Sequence, residues 1–176
     1  MTIALATDAP TFDLPGVDGQ QHSLADYADK PALAVVWSCN HCPYVQAWEG
    51  RMVALQREFG DQGFQLVAIS SNDADAYPED SFAAMQARAE EQGFNFDYLY
   101  DEDQSVLEAY GADRTPEVFL FDRDRRLVYH GAIDDSREEE GVTQEYLRDG
   151  IVAVLAGDSP AVDETPAVGC SVKRKP

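Results

Sequence analysis

The chain has 176 residues, 44% of them apolar, enough for one substantial core in a single domain. Its 33 carboxylates outweigh 13 Lys and Arg, and the formal charge of −20 disfavours nucleic acid and anionic membrane as partners, because phosphate binding needs clustered cations. There is no basic leader and no apolar run near the roughly 20 residues that span a bilayer, so the expectation is a soluble, cytoplasmic protein whose acidity fits a high-salt surface or an ordinary acidic one.

In chain order, residues 12 to 24 (FDLPGVDGQQHSL) predict a short hairpin turning at Asp18-Gly19. The run ALAVVW (32 to 37) predicts a buried strand that ends in Cys39 and Cys42, spaced CxxC. Val45, Trp48, Met52, Leu55 and Phe59 share one face of a helix from Pro43 to Phe59, which Gly60 or Gly63 ends. A second buried strand (64 to 70) leads to an alanine-rich helix from Pro78 to Gln92. Then come a short strand (98 to 100), a short helix (105 to 110) and an antiparallel hairpin of 117 to 121 and 126 to 131. Thr143 is the expected cap of a last helix carrying Leu147, Ile151, Val154 and Leu155. Strands alternating with helices, then a hairpin and a helix, predict an α/β domain over 1 to 156: a central mixed sheet flanked by helices on both faces. Residues 157 to 176 read as an extended tail packing on or near that domain, and its charges sum to zero, so the whole −20 lies on the body.

Three cysteines are too few for a disulfide framework, so the CxxC points to catalysis or metal. A CxxC delivered from a strand to a helix start, with Thr115-Pro116 opening a distant hairpin strand, resembles the thioredoxin fold. The lead-in APTFDLPGVDGQQHSLADYADKPALAVVW is similar to the redoxin branch, the alkyl hydroperoxide reductase/thiol-specific antioxidant and TlpA-like proteins, with an N-terminal hairpin extension and an inserted helix. CNHCPYV, RTPEVFLFD and PAVGCSVK together resemble a little-described group within that branch.

The resemblance implies a thiol–disulfide oxidoreductase acting on disulfide-containing proteins or small thiols, with Cys39 as nucleophile and Cys42 as resolver. It implies no bound cofactor, only electrons from a thioredoxin- or glutathione-type donor, and leaves the oligomeric state open. Because only the thiolate attacks a disulfide, helix amides and a cationic His41 are expected to bring Cys39 below the free-thiol pKa of about 8.5. His41, in the slot where thioredoxin has proline, predicts a more oxidising pair; its other reading is a solvent-facing side chain.

Pro116 is expected to be cis beside the disulfide, where the backbone of Thr115 can pair with an extended substrate. Arg114 stands where peroxiredoxin-like chains place a thiolate-stabilising arginine, but reads more simply as a surface residue. Leu33 replaces the buried aspartate that thioredoxin uses as proton acceptor, leaving Glu117 as a candidate base for Cys42. Direct peroxidase activity is an alternative, although Val35 and Cys39, or Ala32 and Val36, fill the positions where peroxiredoxins carry proline and a hydroxyl residue. A non-catalytic binding module and a metal site are further alternatives; zinc wants four ligands, of which Cys39 and Cys42 with Cys170 or His41 supply only some, and no second CxxC exists. Cys170 is either a third redox thiol, if the tail folds over the CxxC, or an isolated thiol in an arm.

Overall fold

The computed structural model describes residues 1–176. Strands β1 (Asp13–Pro15) and β2 (Gln21–Ser23) form the N-terminal hairpin, with Leu14 opposite His22. The central sheet has five strands in the order β5 (Asp97–Tyr100), β4 (Phe64–Ser70), β3 (Ala32–Ser38), β7 (Glu117–Phe121) and β8 (Leu127–Gly131). β3, β4 and β5 are parallel, β7 pairs antiparallel with β3, and β8 pairs antiparallel with β7. β3 is buried along its whole length because it is central and covered on both faces, which is why it reads as an unbroken apolar run.

Its side chains alternate between two cores. Ala32, Ala34 and Val36 face α1 (Pro43–Phe59), α2 (Phe82–Glu91) and α4 (Tyr146–Leu155) through Trp48, Met52, Met85, Leu147 and Ile151. Leu33, Val35 and Trp37 face α3 (Ser105–Tyr110) and the N-terminal segment through Leu107, Tyr110, Phe12 and Tyr27. Each of the larger aliphatic side chains among them, fully buried, stabilises by about 1.5–3 kcal/mol.

α1 starts at Pro43, where a missing N–H costs nothing. Its C-terminus passes through a 3-10 turn at Gly60–Gln62 and stops at Gly63, whose φ of 98° a side chain would resist. Two expectations need correction. Residues Pro78–Asp80 form a separate 3-10 turn, and α2 begins only after Ser81, whose hydroxyl accepts from the Ala84 N–H, because Asp80 is turned toward the CxxC loop. Thr143 does not cap α4: its N–H and hydroxyl both donate to Asp135, and the helix starts at Tyr146.

The tail follows the sheet edge and then crosses the site. Thr165 fastens it beside β8, its N–H donating to the His130 carbonyl and its hydroxyl bonded to Tyr129 Oη at 2.7 Å. Further on, β9 (Cys170–Ser171) pairs antiparallel with β6 (Arg114–Thr115), setting Cys170 opposite Thr115. The Val172 N–H then bonds the Asp113 carbonyl, and the Lys173 carbonyl accepts from the Asp73 N–H.

Candidate active site

β3 ends at Ser38, and the four-residue CxxC loop carries the chain into α1, with Cys42 as the N-cap residue. The loop is pinned from several sides. The Asn40 N–H donates to Asp80 Oδ1 at 2.7 Å, the Asn40 side chain bonds the Glu79 carbonyl and Tyr98 Oη, and Gln46 Nε2 donates to the Asn40 carbonyl. Thr115 meets both sulfurs: its Oγ1 is 3.7 Å from Cys39 Sγ, and its carbonyl oxygen lies 3.4 Å from Cys42 Sγ. The Thr115-Pro116 peptide is cis.

The electrostatics of the pair differ from the expectation. The neighbouring Cys39 thiol is the chief influence holding Cys42 down to about 4 against its burial, and the Cys170 thiol and the amides of Val45 and Cys170 add to it. The same pairing pushes Cys39 well up, and burial and the Asp80 carboxylate push it further. The expectation of an exposed, acidified Cys39 is therefore corrected. Both sulfurs are buried, and the negative charge is favoured on Cys42, the N-cap residue of α1, chiefly by the thiols of Cys39 and Cys170 around it.

His41 was expected to lend charge to Cys39. Instead its Nδ1 lies 2.5 Å from Asp80 Oδ2 and its ring stacks on Tyr77 with centroids 5.6 Å apart. Asp80, fully buried, also accepts from Asn72 Nδ2 at 2.8 Å. Sequence reasoning missed Asp80; the only signal was an acidic residue just before a helix, which reads as capping. Ligand atoms of Cys39, His41 and Asp80 lie within 4.8 Å of one another, but the Asp80 oxygens are already hydrogen-bonded to Asn40, His41 and Asn72.

The other named residues take different parts. Glu117 is buried, not a base beside Cys42: one oxygen accepts from the Asp113 and Arg114 amides, at 2.8 Å each, and the other meets His130 Nε2 at 2.7 Å. It fixes the loop leading to Pro116. Arg114 is exposed, which leaves it the surface reading. Trp37 is core, its indole N–H donating to Ser71 Oγ. Cys170 reaches the site: its Sγ is 2.7 Å from Cys42 Sγ, and burial together with the Cys42 thiolate pushes its thiol up to about 11.

A buried dithiol at a strand-to-helix junction beside a cis proline, on a mixed five-stranded sheet, is the arrangement of a thioredoxin-fold thiol–disulfide oxidoreductase. The sequence profile of the AhpC/TSA family matches residues 5–130, and the chain belongs to that family. The thiol-disulfide oxidoreductase ResA of Geobacillus thermodenitrificans is 25% identical over 127 residues, covering 71% of this chain and 67% of that protein, so the match spans about two thirds of its length. A crystal structure of a hypothetical protein from Sinorhizobium meliloti 1021 superposes with a TM-score of 0.94 at 41% identity, covering 99% of this chain and 97% of that one. The thioredoxin domain of a thiol-disulfide oxidoreductase from Bacteroides vulgatus shares the fold, with a TM-score of 0.64 at 20% identity over 73% of this chain and 89% of that one.

Proposed function

We propose that the protein exchanges disulfides with proteins or small thiols, Cys39 entering as nucleophile and Cys42 resolving. The seating of both CxxC sulfurs against Thr115, next to the cis Thr115-Pro116 bond, supports this reading most directly. Passing the Cys39 proton to the Cys42 thiolate leaves a Cys39 thiolate, which attacks a substrate disulfide, forms a mixed disulfide and expels one substrate thiolate. That leaving thiolate takes the proton back from Cys42. Cys42, which its surroundings keep ionised at neutral pH, then attacks Cys39 Sγ and releases the second substrate thiolate. Thr115 holds both sulfurs, and its backbone is where an extended substrate would pair once the tail strand moves aside.

Three cysteines in 176 residues are too few for a disulfide framework, which supports a reducing compartment such as the cytoplasm and electrons from a thioredoxin- or glutathione-type donor. The decisive test is trapping. Cys42→Ser should accumulate mixed disulfides on Cys39 and Cys39→Ser should not; trapping on Cys42 alone would reverse the roles. A second reading, direct peroxide reduction, is favoured by the Thr115 hydroxyl beside Cys39, which could orient a peroxide oxygen. Peroxide consumption by the reduced protein without added disulfide separates the two.

A further inference from the structure

The exchange reading leaves one thiol without a task. Cys170 stands 128 residues from Cys42 in sequence, yet their sulfurs are 2.7 Å apart, against about 2.05 Å for a bonded pair. Its position is built, not incidental. β9 lies in register with β6, so Cys170 is opposite Thr115, the residue whose backbone would receive a substrate strand. Gly169 is pressed so close that a Cβ there would stand 2.0 Å from the Thr115 carbonyl oxygen, and no other residue fits without moving the strand. Asn72 ties the segment to the site, its Nδ2 donating to Asp80 and its Oδ1 accepting from the Lys173 N–H. Val172 is buried just beyond, and Arg174 holds Asp113 Oδ1 at 3.1 Å.

We propose that Cys170 is the third redox cysteine of this site: it attacks Cys42 Sγ of the Cys39–Cys42 disulfide, the Cys42–Cys170 bond forms, and Cys39 leaves as a free thiol. The proposal rests on the exchange reading, because the Cys39–Cys42 disulfide is its starting point. The step is an isomerisation. One disulfide replaces another, nothing is oxidised or reduced overall, and the proton that Cys170 gives up ends on Cys39. The surroundings of Cys39, buried beside the Asp80 carboxylate, favour that neutral thiol. The tail thus acts as a built-in substrate strand. In the Cys42–Cys170 form it is covalently fastened over the Thr115 edge while Cys39 is released for another reaction.

The experiment is a disulfide map of the full chain, oxidised with diamide, alkylated and cut with trypsin without reduction. The peptide ending at Arg51 carries Cys39 and Cys42, and that ending at Lys173 carries Cys170. The two peptides should appear joined in wild type and in Cys39→Ser, and should fall apart on reduction. Gly169→Ala, which displaces the strand, should lose the joined species while keeping the bond within the first peptide. A Cys39–Cys42 bond with Cys170 fully alkylated, or Cys39→Ser that oxidises without joining the peptides, overturns the proposal and leaves the exchange reading intact. Absence of both bonds in the oxidised wild type would overturn the two together.

Discussion

His41 and Asp80 form the polar floor of the dithiol site: the imidazole Nδ1 sits 2.5 Å from a carboxylate that has no solvent exposure and that also receives the backbone N–H groups of Asn40 and His41. The carboxylate thereby organises the CxxC loop and opposes a negative charge on Cys39 at once.

Asp80→Asn keeps the shape but removes the charge. Losing charge-assisted bonds to buried donors should cost about 1–3 kcal/mol in urea denaturation. Cys39 should at the same time become more acidic, because one of the causes holding its thiol up disappears. Alkylation of Cys39 in a Cys42→Ser, Cys170→Ser background, followed against pH with and without Asp80→Asn, checks the direction.

The reduced protein should show one thiolate titrating near pH 4, read by ultraviolet absorbance and absent in Cys42→Ser. The linkage sign follows. A thiol whose folded pKa lies below its unfolded value of about 8.5 stabilises the fold above that value and loses the contribution as pH falls toward about 4. Between those limits wild type should gain stability with pH relative to Cys42→Ser; equal slopes would refute the assignment.

Stabilising the thiolate stabilises the reduced form, so the Cys39–Cys42 couple should be more oxidising than thioredoxin, less negative than about −270 mV. His41 was expected to be the cause, whereas the amides and thiols around Cys42 now carry it. Equilibration with glutathione measures the value.

Glu117→Gln should destabilise by about 1.5–3 kcal/mol, since a buried carboxylate that accepts two amides and meets His130 is replaced by an amide that must turn one end the wrong way. Arg114→Ala, in contrast, should leave stability within about 0.5 kcal/mol and thiol reactivity unchanged, as expected of an exposed side chain. Denaturant midpoints and alkylation rates distinguish the pair.

Much of this architecture was legible in the residues. α1, β4, α3 and β7 fall on the predicted bounds, because each is set by an unbroken apolar run or a helical stripe closed by proline or glycine. Where a side chain left its own segment to serve a distant one, local reading failed. Asp80 looked like part of a helix start and instead bonds the loop 40 residues earlier, as Thr143 looked like a cap and instead bonds Asp135. The cysteine pair was plain in the sequence, but which sulfur carries the charge was not. That depends on Cys42 being the N-cap residue and on a third thiol that arrives from the far end of the chain.

Composition alone suggests a natural cut at Gly157, where the acidic body gives way to a proline-bearing arm. Shortening the protein there would strip the roof from the sulfur centre, exposing Cys39 and Cys42 to dissolved oxygen and to stray metal ions, so a truncated version would report the reactivity of a different molecule.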